Sequence, residues 1–257
     1  MMMLKGRAVV LEDIDRLKEQ IVSVVEATCG TQGVSSQHVT KKKDNSPVTK
    51  LDLDLSMLIK NFFMGHEEYK DWNFYSEEDH DEFKFPAIVL DPIDGTRELV
   101  KGVGECAVSL ALMPSPKLTE GFGWIFNPFT GFEISSSQKF FPPSTSLEKP
   151  LNGLVSRSEW SKGYYNGLST EELKLVPRGS IAFKLGLLAA GSCDFVYSMR
   201  PKNIWDIAAG SIILHSRGYK FYLLEGEELE SLETKKYPGP MMWAKKDVHE
   251  WVIEHLK

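Results

Sequence analysis

Ile88-Val89-Leu90-Asp91-Pro92-Ile93-Asp94-Gly95-Thr96-Arg97-Glu98 is the stretch whose reading decides the rest of this 257-residue chain. The run Ala87 to Leu90 is short, apolar and β-branched, which predicts a buried strand. Pro92 cannot donate a ladder hydrogen bond, so the strand is expected to stop there. Gly95 permits a sharp turn, and the spacing predicts a helix over Thr96 to Lys101 with Gly102 at its end. Two carboxylates three residues apart thus sit on a rigid corner between strand and helix. They repel one another unless something positive lies between them, and a hard divalent cation meets that need. Asp-Pro and Asp-Gly are also ordinary turn dipeptides. The hexapeptide alone therefore admits either a structural turn or a metal site.

Composition bounds the rest. With 42% hydrophobic and 26% charged residues the chain reads as an ordinary globular protein with ample core. A net charge of −6 argues against binding nucleic acid polymers or anionic membranes through bulk charge. The N-terminal residues lack a long apolar core and a small-residue cleavage site, so no signal peptide is expected. No apolar stretch approaches the roughly 18 residues of a membrane span. Cys29, Cys106 and Cys193 are far apart and odd in number and form no metal-type or redox-type pair; Cys106 and Cys193, in apolar contexts, read as small core residues, with a reducing cytoplasm expected. The histidines show no zinc-type pairing.

Outward from the corner, Val10, Ile14, Leu17, Ile21, Val24 and Thr28 predict an amphipathic helix from about Ala8 to Cys29, ended by Gly30. Residues 31–49 read as a loop with a short strand at Gln37 to Thr40. A second helix begins near Asp52 or Asp54, where an Asp commonly serves as a cap. Trp72 to Tyr75 is a strand candidate that runs into the acidic stretch Ser76-Glu77-Glu78-Asp79-His80-Asp81-Glu82. Glu105 to Met113 reads as a further strand, and Gly121 to Ser136 as a hairpin turning at Asn127-Pro128-Phe129-Thr130. Prolines, serines and threonines over residues 137–150 suggest a boundary between an α+β unit with an antiparallel sheet, 1–140, and an α/β unit, 141–257. In the second unit, strands are expected near Leu151 to Val155, Leu173 to Val176, Phe195 to Tyr197, Tyr219 to Leu223 and Met241 to Ala244. Helices are expected from Glu159, capped by Ser158, over Ile181 to Ala190, over Ile207 to Ser216 and from Asp247.

Four acidic segments fall where elements start or end: Asp52, Glu77-Glu78, Asp91 with Asp94, and Asp206. With their surroundings they read Val48-Thr49-Lys50-Leu51-Asp52, Ser76-Glu77-Glu78, Asp91-Pro92-Ile93-Asp94-Gly95-Thr96 and Trp205-Asp206-Ile207-Ala208-Ala209-Gly210. In this order and spacing the chain resembles the inositol monophosphatase superfamily over most of its length, including Asn127-Pro128 and Gly179-Ser180. The resemblance implies a five-layer αβαβα sandwich and a Mg²⁺-dependent, lithium-sensitive phosphomonoesterase. It implies that Glu77, Asp91, the Ile93 carbonyl, Asp94 and Asp206 hold two or three Mg²⁺ ions. It also implies that Thr96 and Asp52 handle the proton of a metal-activated water alongside Glu77. Gly95, Thr96, Gly179, Ser180 and Asp206 would border the substrate. Phosphoryl transfer asks mainly for positioning and charge neutralisation, which such a set supplies, with the helix start near Gly95 turned toward the phosphate. Glu78 would support Glu77 from behind.

Inositol-preferring members of that superfamily carry a Glu seven positions before the last Asp, where this chain has Met199. Met is a weak acceptor. Arg97-Glu98-Leu99, Ser156-Arg157-Ser158, Lys184 and Asn203 look more like the 3′(2′),5′-bisphosphate nucleotidases. Lys184 and Arg200 would then serve a second phosphate, although Lys184 could equally lie along its helix and reach for water. Inositol 1-phosphate and sugar bisphosphates stay open as substrates. A catalytically silent binding or regulatory protein is the alternative of another class, and the complete carboxylate set argues against it. A homodimer is compatible with the exposed apolar share.

Overall fold

The computed structural model describes residues 7–29, 39–41, 47–80, 82–138, 147–223 and 226–255. Its first half contains α1 (Arg7–Cys29), β1 (Val39–Lys41), β2 (Pro47–Thr49), α2 (Lys50–Met64), β3 (Asn73–Ser76), β4 (Ala87–Asp94), α3 (Thr96–Val100), β5 (Ala107–Met113), β6 (Phe122–Phe126) and β7 (Glu133–Ser135). The second half contains β8 (Leu151–Ser156), α4 (Arg157–Trp160), β9 (Leu173–Arg178), α5 (Ile181–Ala189), β10 (Phe195–Ser198), β11 (Lys202–Asn203), α6 (Ile204–Ser216), β12 (Lys220–Leu223), β13 (Glu228–Leu229), β14 (Lys236–Tyr237), β15 (Met241–Ala244) and α7 (Lys246–His255). Gly30, most of the 31–49 loop and the Pro/Ser stretch from 139 to 146 lie outside the described residues.

Alternation along the strands builds the layers. In β4, Ile88 and Leu90 face α1 and α2, whose Leu17, Ile21, Leu55 and Ile59 form one buried cluster with them. Ala87 and Val89 point the other way, into a cluster with Leu185 and Leu188 of α5 and Ile207 and Ile212 of α6. This is the period of two expected of a strand, with both faces covered. The same second cluster takes in Val196, Phe221, Met241 and Trp243 from the other sheet. Beyond that sheet, Val248 and Val252 of α7 close a third cluster against Leu151, Leu173, Phe195 and Met242. The layers therefore run helix, sheet, helix, sheet, helix, which is the expected αβαβα sandwich.

Strand order in the first sheet is β3-β4-β5-β6-β7. It is antiparallel from β4 onward, but β3 pairs with β4 in parallel, so the expected all-antiparallel sheet is corrected at one edge. The chain between β3 and β4 crosses back before pairing, as a parallel pair requires. The second sheet, β13-β12-β15-β10-β8-β9, is mixed: β8 lies parallel to both β9 and β10, and β15 antiparallel to β10 and β12. Among the described residues, no helix is long and apolar enough to cross a membrane. The three cysteines are buried and free.

Three local expectations are corrected. The strand does not stop at Pro92: β4 continues to Asp94 through a shift of register against β5 between Asp91 and Asp94. A bulge takes residues out of the ladder, so the missing N–H of Pro92 costs nothing there. Helix α4 is capped by Ser156, which accepts from the Glu159 N–H, and not by Ser158. Helix α6 starts at Ile204, three residues early, because the Asp206 carboxylate accepts the Asn203 N–H and ties down the helix start.

The two halves meet closely where β6 passes under α6. A Cβ on Gly123 would lie 2.4 Å from the Ala209 carbonyl oxygen and 3.1 Å from Ile213 Cγ1. Gly123→Ala should therefore push α6 off the first sheet and cost about 1–3 kcal/mol, the usual range for overpacking. Thermal unfolding of the variant is expected several degrees below that of the parent; an unchanged midpoint would contradict this packing account.

Candidate active site

The end of β4 brings its acids together with the start of α6. One carboxylate oxygen from each of Asp91, Asp94 and Asp206 lies within 4.8 Å of the others. Asp91 is buried, and its Oδ1 accepts the Ile93 N–H at 3.1 Å. Asp94 Oδ2 accepts the Ser180 hydroxyl at 2.6 Å and the Ala182 N–H at 2.5 Å, tying β4 to the first turn of α5. Asp206 Oδ2 accepts the Asn203 N–H at 2.8 Å. The Ser109 hydroxyl of β5 holds the Trp205 carbonyl at 3.0 Å, which docks the start of α6 on the first sheet. Gly95 makes the corner possible. Its φ is +96°, and a Cβ there would lie 2.8 Å from the Glu105 carbonyl oxygen.

Asp52 has two jobs. It is the third residue of α2, and its Oδ2 accepts the Thr49 N–H at 2.8 Å in a capping box. Its Oδ1 takes the Thr96 hydroxyl at 2.9 Å, and that hydroxyl also lies 2.9 Å from the Ile93 carbonyl oxygen. The helix cap and the site expected at this residue are thus one arrangement.

These groups border a cavity of about 310 Å³. Glu77, Asp91, Ile93, Asp94, Gly95, Thr96, Gly179, Ser180, Lys184 and Asp206 all line it. Asp52 stands behind Thr96, and Glu77 lies outside the tight trio. Glu78 and Met199 do not line the cavity.

Burial and repulsion dominate the electrostatics. Burial, then the charges of Glu77, Asp94, Asp206 and Asp52, holds the Asp91 carboxyl well above the usual range. Asp206 is pushed up to about 8 by burial and by Asp94, with Lys202 pulling the other way. Such a set favours protons or a cation. All its donors are oxygens, a set that suits Mg²⁺, Ca²⁺ or Mn²⁺ better than zinc. The residues present therefore fit a hard divalent cation.

Two expected phosphate ligands are corrected. Arg200 is exposed and outside the cavity lining; its backbone N–H donates to Glu159 at 3.2 Å. Lys184 borders the cavity, but its ammonium is buried and donates to the carbonyls of Arg178, Gly179 and Ser180 at 3.3, 3.3 and 2.8 Å. Burial lowers its pKa to about 8. An ammonium has three donors, and here all three go to the loop before α5. It holds that loop, in which Ser180 adopts a φ of +48°.

Arg157, Arg178 and Lys202 line the cavity instead. Behind the two arginines sits Glu105, which accepts from the Arg157 guanidinium, takes the Gly179 N–H at 2.6 Å and lies 3.5 Å from Arg178 Nε. Burial alone would raise Glu105, but the Gly179 N–H and Arg157 outweigh it, and its pKa is lowered. Sequence reading missed Glu105, Arg178 as a lining residue, Lys202 and Glu159. The available signal was a charged residue, Glu105, set against the apolar run that begins at Cys106.

Folded carboxyls raised above their unfolded value bind extra protons between about pH 4 and about pH 8, so the metal-free protein should lose stability as pH rises through that window. In chelator, the melting temperature is expected to fall between about pH 5 and about pH 8, and Asp206→Asn should flatten that slope. Mg²⁺ should raise the midpoint more at the upper end, where it does not compete with protons. Equal slopes in parent and variant would contradict the assignment.

Known proteins resemble this chain in sequence and in fold. The model of the inositol monophosphatase family matches residues 9–257. The 3′(2′),5′-bisphosphate nucleotidase CysQ of Escherichia coli K12 is 26% identical over 235 residues, 81% of this chain and 89% of that one. A fructose-1,6-bisphosphatase/inositol-1-monophosphatase of Archaeoglobus fulgidus is 32% identical over 185 residues, 66% of this chain and 69% of that one. Among solved structures, an IMPase/NADP phosphatase complexed with Mg²⁺ and phosphate superposes with a TM-score of 0.71 at 18% identity, covering 96% of each chain. A family model that spans nearly the whole sequence, on this fold, makes the chain a member of the inositol monophosphatase family of phosphoric monoester hydrolases.

Proposed function

We propose that the protein is a Mg²⁺-dependent phosphomonoesterase that frees phosphate from a small metabolite by attack of an activated water, with a nucleoside 3′(2′),5′-bisphosphate as the favoured substrate. The observation that carries this reading is the meeting of Asp91, Asp94 and Asp206 within 4.8 Å, beside the Thr96–Asp52 pair. Bound divalent cations supply Lewis-acid chemistry there: they neutralise phosphate charge and make water acidic enough to attack. Glu77, Asp91 and the Ile93 carbonyl would hold one ion. Asp91, Asp94 and Asp206 would hold the next. Thr96 Oγ1 takes the proton of the attacking water as its own passes toward Asp52 Oδ1, and the short link between these two groups keeps the hydroxyl aimed. Gly95 and Thr96 flank the phosphate, and Gly179, Ser180 and Asp206 border the leaving alcohol. Lithium inhibition and a homodimer belong to the same reading.

The preference for two phosphates rests on the cations Arg157, Arg178 and Lys202 in the wall of a cavity whose other residues include four acids of the metal set. The CysQ likeness supports it, and the Archaeoglobus fulgidus relative supports a sugar bisphosphate as the second reading. Inositol 1-phosphate has less support: Met199 packs against the apolar cluster under α7 and offers no acceptor to ring hydroxyls.

Asp94→Asn should lower Mg²⁺-dependent phosphate release by about 10²–10³-fold, the scale of losing one preorganised electrostatic group. Thr96→Ala should lower kcat by about 10²-fold or more with little change in KM, as expected for lost proton handling. Phosphate release from adenosine 3′,5′-bisphosphate, fructose 1,6-bisphosphate and inositol 1-phosphate, with and without Mg²⁺, is the test. Full activity of Asp94→Asn refutes the metal set, and a clear preference for inositol 1-phosphate refutes the substrate.

A further inference from the structure

Glu159 plays no part in the carboxylate cluster, yet it is buried at 1% exposure. An ionised carboxylate taken out of water is costly unless it is paired and hydrogen-bonded. Its donors come from one other stretch of chain and one tyrosine. Oε2 accepts the Met199 N–H at 3.0 Å and the Tyr165 hydroxyl. Oε1 accepts the Arg200 N–H at 3.2 Å and the Ser198 hydroxyl at 3.4 Å. Lys202 Nζ stands 3.7 Å from the same Oε1, with its side chain 17% exposed.

The contacts join two cavity walls. Helix α4 carries Arg157 and Ser158 into the lining, and the 198–202 segment carries Ser198 and Lys202 into it. Glu159 clamps the second segment to the first. Four neutral donors already satisfy the carboxylate, so the lysine is not needed to balance its hydrogen bonds. The lysine gains a fixed position: a flexible four-carbon side chain has its ammonium held at the edge of the site, with donors left for another partner.

We propose that Glu159 is a positioning residue for substrate recognition, fixing Lys202 so that its ammonium meets a second anionic group, a phosphate, on the alcohol part of the substrate. The proposal rests on the phosphatase reading above and deepens it. It assigns the second phosphate to Lys202 rather than to Lys184, whose donors are spent on backbone carbonyls.

The test compares kcat/KM for adenosine 3′,5′-bisphosphate with that for adenosine 3′-monophosphate, which differ only in the 5′-phosphate, in Mg²⁺. Lys202→Met should lower the ratio of the two values about tenfold or more, through KM for the bisphosphate, the scale of a lost hydrogen bond to a charged group. Glu159→Gln should lower the same ratio, Glu159→Asp should restore part of it, and the double variant should fall no further than Lys202→Met. A ratio within about twofold of the parent in Lys202→Met overturns the proposal. So does a Glu159→Gln enzyme that melts normally and loses both activities equally, because that marks a purely structural residue. If Glu159→Gln does not fold, Lys202→Met and Glu159→Asp decide alone. A parent protein that releases phosphate from neither ester refutes the nucleotide-substrate reading, and this proposal with it; a parent active on both with an indifferent ratio refutes only this proposal.

Discussion

Buried negative charge at one end of β4 is the constraint on which the rest of the molecule depends. Asp91 is enclosed, and its neighbours in charge are Glu77, Asp94, Asp206 and Asp52, each of which pushes its carboxyl further from ionisation. Such a cluster is expensive in a folded protein unless protons or a cation balance it. The chain nevertheless invests in it from both halves: β4 and the loop after β3 from one, the start of α6 from the other. The family to which the chain belongs gives that cost a purpose, because a phosphate ester is itself anionic and must be met by positive charge between it and the protein.

Helix starts supply much of the precision. Asp52 and Asp206 are both third residues of their helices, and both accept the N–H of the capping residue; the other oxygen of Asp52 takes the Thr96 hydroxyl. An N-cap arrangement fixes a carboxylate by short-range backbone geometry, so the position of each acid follows from where its helix begins. Asp94 does the reverse. It belongs to a strand and caps a helix distant in sequence, through Ser180 and Ala182. That bond makes the corner of β4 and the loop before α5 one rigid body, and Lys184 secures the loop from beneath.

How much of this was legible follows from the range of the interactions involved. The trio, Glu77 and the Asp52–Thr96 pair were legible through the resemblance of four short acidic motifs to the inositol monophosphatase superfamily; the residues alone showed only acids at element boundaries. The strand–helix alternation gave layers of helix and sheet, and the family resemblance gave their number and order. What could not be read depends on contacts between residues far apart in sequence. Glu105 is tied to Arg157 and Gly179, 52 and 74 positions away, and Glu159 to Met199 and Arg200, 40 and 41 positions away. Lys184 and Arg200 have the right charge for a phosphate, but one is consumed by carbonyls and the other sits outside the cavity; charge alone does not encode direction. Pro92 misled for a similar reason, since a bulge removes the ladder bond that a proline would break.

The central claim, that the acids at the end of β4 and the start of α6 hold divalent cations, is tested most directly by anomalous diffraction from crystals soaked in Mn²⁺, a stand-in for Mg²⁺ with similar oxygen preference. The account predicts a strong anomalous peak between the carboxylates of Asp91, Asp94 and Asp206, about 2.0–2.2 Å from at least one oxygen of each. A saturating soak that leaves this position without a peak, with manganese only on surface carboxylates, would contradict it.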